Sequence, residues 1–167
     1  MGRLFDGVAA VLDIKREASY EGQGAILLEA AAAGNCVSAY PYAIAEENGL
    51  LEFDWRPMLQ ALCEDVRSGR PKAEAAAGFM NSCVAAAAEI LAAMRAQTGL
   101  DRVVLSGGTF QNMYLLSHIK TALEKQGFKV YHHSRVSTND EGISLGQTLI
   151  AKHGGGIYVP GGTSQTD

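Results

Sequence analysis

At 167 residues the chain has the size of one domain and enough length to bury a core. Hydrophobic residues make up 47% and charged residues 19%, which excludes a disordered chain and fits an ordinary globular one. The formal net charge is −4 and no basic run accompanies it, so the electrostatic footprint of a nucleic-acid-binding protein is missing.

The elements alternate in a regular way. Apolar residues at Leu4, Phe5, Val8, Ala9, Val11 and Leu12 repeat at helical spacing and predict an amphipathic helix from Gly2 to Ile14. A polar connection leads to the glycine-bearing turn Tyr20-Glu21-Gly22-Gln23-Gly24, and a helix follows from Ala25 to Ala33, stopped by Gly34-Asn35. Val37–Ile44, split by Pro41, and Leu50–Phe53, after the turn signal Asn48-Gly49, read as two short strands. Asp54 can cap a helix to Arg67 with Pro57 in its first turn, and an alanine-rich helix runs from Lys72 to Gln97, closed by Gly99. Its apolar stretches are broken by Gly, Asn or Glu short of the roughly 20 residues that span a bilayer, so no membrane partner is expected. Asp101–Leu105 is apolar on both faces and suits the middle of a covered sheet. A glycine turn, a helix to Gln126, a strand Phe128–His132 and a helix Glu141–Lys152 complete the pattern, and 161–167 read as a disordered tail. Strands alternating with helices argue for an α/β fold, helix-rich with a small, partly parallel sheet. Cys36, Cys63 and Cys83 are odd in number and lack a Cys-x-x-Cys pair, as reduced core thiols of a cytoplasmic protein do.

Two turns carry chemistry. In Ser106-Gly107-Gly108-Thr109-Phe110-Gln111-Asn112 two glycines stand where a strand ends and a helix begins, a geometry that lets backbone N–H groups meet a phosphate without a Cβ in the way. The same glycines also suit a plain chain reversal, and neither a P-loop nor a dinucleotide fingerprint is present. In Thr138-Asn139-Asp140-Glu141-Gly142 an exposed Asp can ligate a metal beside phosphates or cap the next helix. His132 and His133 are adjacent at a strand end, point to opposite faces and do not easily share one metal. No set of nucleophile, base and orienting group can be assembled from spacing, so no catalytic residue is assigned.

Taken in order, these pieces resemble the C-terminal catalytic region of the HypF carbamoyltransferase family of nickel-iron hydrogenase maturation. The matching residues are Gly2-Arg3-Leu4-Phe5-Asp6-Gly7-Val8-Ala9, Ser19-Tyr20-Glu21-Gly22-Gln23, Leu105-Ser106-Gly107-Gly108 with Phe110-Gln111-Asn112, and Asn139-Asp140 followed by Gly142-Ile143-Ser144-Leu145-Gly146-Gln147. The resemblance implies one lobe of the actin-like ATPase (ASKHA) fold, over residues 1–160, similar to the enzymes that attach threonylcarbamoyl groups to tRNA. It implies ATP or carbamoyl-adenylate as the bound nucleotide, a divalent metal, and transfer of a carbamoyl group to the C-terminal cysteine of a HypE-type partner, where it becomes cyanide for the hydrogenase. Asp6 would then bind the ribose hydroxyls, Gly22 would pack on the nucleoside, Gly107 and Gly108 would admit the phosphates, Asn112 would hydrogen-bond the nucleotide, and Asp140 would ligate the metal.

There are departures as well. The family's histidine pair for the metal is missing, Met80 stands where a His is usual, and the acylphosphatase-like, zinc-finger and adenylate-forming domains have no counterpart. The expectation is therefore the last fifth to quarter of a family member, poorly active alone. The alternative is a non-catalytic docking module that completes a separately encoded lobe or pairs with a second copy, with Leu4, Phe5 and Val8 as its contact face. A small enzyme using Gly107-Gly108 for some other phosphate ligand is the third reading.

Overall fold

The computed structural model describes residues 1–153; the expected lobe end at 160 and the tail 161–167 lie outside the described residues. The chain order is α1 (Gly2–Val11), α2 (Gln23–Ala32), β1 (Ala43–Glu47), β2 (Leu50–Asp54), α3 (Arg56–Arg67), α4 (Lys72–Thr98), β3 (Arg102–Leu105), α5 (Met113–Lys125), β4 (Lys129–His132) and α6 (Ile143–Lys152). β1 and β2 form an antiparallel hairpin, while β3 and β4 pair in parallel with Val103 beside Val130 and Leu105 beside His132. The lobe is therefore α/β, helix-rich, with a small and partly parallel sheet.

The core is built on α4. Its residues from Ala75 to Met80 are all buried, and the small side chains among them let α2, α3 and α5 approach closely. Phe79 meets Phe5 edge to face at 4.9 Å, and Leu28, Met58, Leu62, Leu115 and Leu123 close the space around them. By length and composition alone α4 is also sufficient to cross a bilayer, contrary to the expectation drawn from its interruptions. Within this lobe 44% of that apolar window is buried as core.

One contact fixes the long loop before the hairpin. The Tyr40 ring lies so close to α4 that a Cβ at Gly78 would stand 2.7 Å from Tyr40 Cε2. Tyr40 N–H donates to Ser82 Oγ at 2.7 Å, and the Ser82 hydroxyl in turn donates to the Gly78 carbonyl at 2.9 Å. At the ring's far end Tyr40 Oη donates to Asp65 at 2.6 Å, and Arg70 pairs with both Asp65 and Glu74. The hydrogen bond from Tyr40, and after it the Arg70 guanidinium, hold the Asp65 carboxyl below the usual carboxylate range. A lowered folded-state pKa gives stability that is complete above the ordinary carboxylate value and is lost as pH falls through the folded value. Asp65→Asn should accordingly flatten the acid limb: melting temperatures at about pH 3 and pH 6 should differ less in the variant than in the parent. Equal differences would contradict this account.

Several expectations are corrected. α1 stops at Val11 because Asp13 adopts φ +51° and turns the chain before Ile14. Leu4, Phe5 and Val8 do not wait for another lobe: Phe5 and Val8 are buried in this chain's own core, and Leu4 packs against it. Val37–Tyr42 is irregular and β1 begins only at Ala43, after Pro41, whose nitrogen has no hydrogen to give a ladder. Asn48 and Gly49, at φ +53° and +79°, make the tight turn that the Asn-Gly pair predicts. Asp54 stands one residue before the N-cap Trp55, yet its carboxylate accepts the Arg56 N–H at 3.0 Å.

The sheet differs most. β3 and β4 have no further strand among the described residues, and only one face of the pair is covered: Val103 and Leu105 are buried while Val104 is 69% exposed. The cysteines are free, as expected, but they are not all core thiols. Burial pushes the Cys83 thiol up to about 12, Cys63 is half-buried, and Cys36 is exposed after α2.

Candidate functional site: the glycine turn and the Asp140 loop

The chain leaves β3 at Ser106 and does not pass straight into a helix. Gly108–Gln111 form a single 3-10 turn, and α5 starts only at Met113. Gly107 sits at φ +97°, ψ +162°, a region essentially closed to residues with a Cβ. Its N–H donates to Thr138 O at 2.9 Å, and the Thr138 hydroxyl donates back to Gly107 O at 3.2 Å. The two turns singled out in the sequence, joined across 31 residues, are thus bolted together at the carboxyl ends of the parallel strands, where α/β folds bind ligands.

The Gly107 N–H is spent on Thr138, so it is not one of the groups that meets an anion. Gly108 opens the 3-10 turn, where the first N–H groups have no partner in the turn itself. Its φ is ordinary and the place of its Cβ is open space, so neither conformation nor packing within this chain asks for glycine there.

Asn112 is buried and does structural work that sequence reasoning missed. Its Oδ1 accepts the Leu115 N–H at 2.9 Å and caps α5, which leaves Nδ2 buried with no partner among the described residues. A buried amide donor without an acceptor is costly, and a ligand acceptor would satisfy it. The N–H just before it, that of Tyr114, is taken by Glu29 Oε1 at 3.0 Å, so a carboxylate of α2 helps close the start of α5. Nothing in the sequence marked Glu29, because its partner lies 85 residues on.

In the second turn, Asn139 is the cap. Its Oδ1 accepts the Glu141 N–H at 3.1 Å and the Ser137 hydroxyl at 2.6 Å. Asp140 is thereby relieved of the capping role that the sequence left open, and it stands exposed. Gly142 is required by packing, since a Cβ would meet Ser137 O at 2.9 Å.

Asp6 and Gly22 form a second group. The carboxylate of Asp6 lies over the first turn of α2, with Oδ1 2.8 Å from where a Cβ of Gly24 would be. Gly22, at φ +80°, is the N-cap residue of that helix. Along α2, Gly22 lies about 10 Å from Glu29, which touches α5. The six predicted residues therefore fall into two patches, Asp6 with Gly22 and Gly107, Gly108 and Asn112 with the Asp140 loop, joined by α2.

A metal is not held by these residues alone. Among the described residues no three His, Cys, Asp or Glu side chains converge, and Asp140 offers a single oxygen-bearing group. Met80 is fully buried in α4 and supplies no polar group. His118 stacks on Tyr114 at 4.1 Å and is committed there. A cavity of about 180 Å³ opens beside the glycine turn between Leu105, Phe110, Met113, His133 and Thr138. A wider hollow of about 520 Å³ is walled by residues 13–19 alone and brings together no groups from distant parts of the chain.

A family model described as "Carbamoyltransferase, Kae1-like Domain, second subdomain" matches residues 1–147. The carbamoyltransferase HypF of Synechocystis sp. is 39% identical over 153 residues, and that of Rhizobium leguminosarum bv. viciae is 35% identical over 153 residues. Each match covers 91% of this chain and 19% of the relative. A crystal structure of full-length HypF in a phosphate- and nucleotide-bound form superimposes with a TM-score of 0.86 at 40% identity, over 92% of this chain and 20% of that one. The chain belongs to the HypF carbamoyltransferase family and spans about a fifth of the length of these relatives.

Proposed function

We propose that this chain is the nucleotide-holding part of a carbamoyltransferase catalytic domain. The observation that carries the reading is the junction of Gly107 with Thr138, which ties the turn bearing the unobstructed Gly108 to the turn bearing the exposed Asp140. The relative bound to phosphate and nucleotide supports it. Bound carbamoyl-adenylate, made from ATP, supplies an activated carbonyl. Toward it, the Gly108 N–H and the Asn112 amide donate, glycine at 108 excludes nothing, and Asp6 accepts from vicinal ribose hydroxyls beside Gly22. The acceptor is the C-terminal cysteine thiol of a HypE-type protein in the cytoplasm, the group later becoming a hydrogenase cyanide ligand.

Asp140 would be one ligand of a divalent metal, whose other ligands must come from outside these residues. The reading therefore predicts that this chain is poorly active by itself. Mixed with the remaining part of a relative, it should support carbamoylation of the acceptor thiol, seen as a mass increase of the acceptor. Equal carbamoylation with and without the chain would refute the proposal.

A second reading, a module that docks on a separately encoded lobe, is favoured by one specific observation. Val104 and Tyr131 are neighbours on the uncovered sheet face and are 69% and 53% exposed, and α6 buries none of its residues although Ile143, Leu149 and Ile150 are apolar. Bare apolar surface of this kind marks a contact site. Light scattering after size exclusion should show self-association of the isolated chain that Val104→Lys reduces. A parent chain that stays monomeric at all concentrations would speak against this face as a contact surface.

A further inference from the structure

The site reading leaves two side chains unused at the same strand ends. Ser106 follows β3 and His133 follows β4, and Ser106 Oγ lies 2.9 Å from His133 Nε2. Both are exposed, so the pair is not there to satisfy a buried group. Ser106 is bonded to Gly107 in the chain, and His133 shares the wall of the 180 Å³ cavity with Thr138, the residue that holds Gly107. Among the described residues, the titratable side chains lining that cavity are His132 and His133, and no carboxylate lines it.

The strand and loop that carry His133 are basic, and the exposed Asp140 carboxylate follows two residues after Thr138. Between Phe128 and Thr138 the sequence carries Lys129, His132, His133 and Arg135 and no acidic residue, in a chain whose formal net charge is −4. Lys129 is occupied by Asp101 at 3.6 Å. His132 Nδ1 stands 3.1 Å from the His133 carbonyl, which leaves the His133 ring facing Ser106. An imidazole Nε2–H that donates to Ser106 Oγ turns the hydroxyl's own proton outward, and a cationic ring polarises it further.

We propose that Ser106 and His133 form the anion-holding wall of this turn. Ser106 O–H, oriented by His133, donates to a phosphate-type oxyanion lying over Gly108. The proposal shares the site of the nucleotide reading and names the side chains that add to its backbone donors; inorganic phosphate is enough to test it. His133 acts through Ser106 and is a positioning residue.

The test uses the whole chain with its histidine rings and backbone amides followed by NMR. Inorganic phosphate, added at constant ionic strength against chloride, should shift the His133 ring and the Gly108 amide together. Ser106→Ala and His133→Gln should each weaken phosphate binding by about tenfold, the order expected for loss of a charge-assisted hydrogen bond. Both residues are exposed, and an unchanged amide spectrum elsewhere verifies the fold of each variant. Phosphate shifts that bypass His133, no binding at all, or unaltered affinity in both variants would overturn the proposal. If phosphate binds through the pair and AMP or ATP binds no more tightly than phosphate, the pair stands and the nucleotide reading falls. If nucleotide binds and neither substitution weakens it, the nucleotide reading stands and the pair falls.

Discussion

Gly78→Ala should destabilise the lobe by about 2 kcal/mol, the usual cost of forcing a methyl group into a packed core. The added carbon would stand 2.7 Å from Tyr40 Cε2 and 3.1 Å from Cδ2, closer than ring and methyl can approach. The ring has nowhere to go. Its backbone is held by Ser82 and its hydroxyl by Asp65, so relief must come from separating the 37–42 loop from α4. For a chain of this size that loss corresponds to a fall in melting temperature of about 6 °C. Gly7→Ala is the control: α1 has open space at that position, and the exchange should leave the melting temperature unchanged or raise it. Equal effects of the two substitutions would show that Tyr40 does not lock the loop.

The second large effect separates the paired glycines by mechanism. Gly107→Ala forces a Cβ into φ +97°, ψ +162°, and backbone strain of roughly 1–3 kcal/mol should appear as lost stability and a loosened Thr138 contact. A Cβ at Gly108 has open space around it and the residue's φ lies outside the left-handed region, so Gly108→Val should change stability little. Its effect belongs to the ligand. The branched side chain would stand where a phosphate must come, and nucleotide affinity should fall by at least about tenfold, the loss of one charge-assisted hydrogen bond. Thermal melts and nucleotide titrations of the two variants check both halves. If Gly108→Val unfolded the lobe, or bound nucleotide as the parent does, the assignment of the cradle to Gly108 would fail.

Much of the fold was legible because local signals agreed with it. Helical spacing marked α1 and α4, Asn48-Gly49 marked the hairpin, and Gly99 and Gly127 marked helix and strand boundaries. What the sequence could not convey was which apolar faces find partners inside the chain. Val104 reads like a doubly covered strand residue, yet the sheet has two strands here and the face is bare. Phe5 and Val8 read like a contact for another lobe, yet this chain's own core takes them, Phe5 against Phe79 of α4. At the site, the residue types were readable and their partners were not. Asn112 spends half its amide on α5, Gly107 spends its N–H on Thr138, and the roles of Glu29 and of His133 beside Ser106 depend on contacts across 85 and 27 residues. Long-range hydrogen bonds leave no periodic trace in a sequence.

The central claim is that the glycine turn and the Asp6 patch hold one nucleotide between them. An NMR titration of the whole chain with ATP tests it most directly. The account predicts shifts at the Gly108 amide and the Asn112 side-chain amide together with Asp6 and Gly22, saturating at one common affinity. Shifts confined to one patch, or none at Gly108 and Asn112, would contradict it.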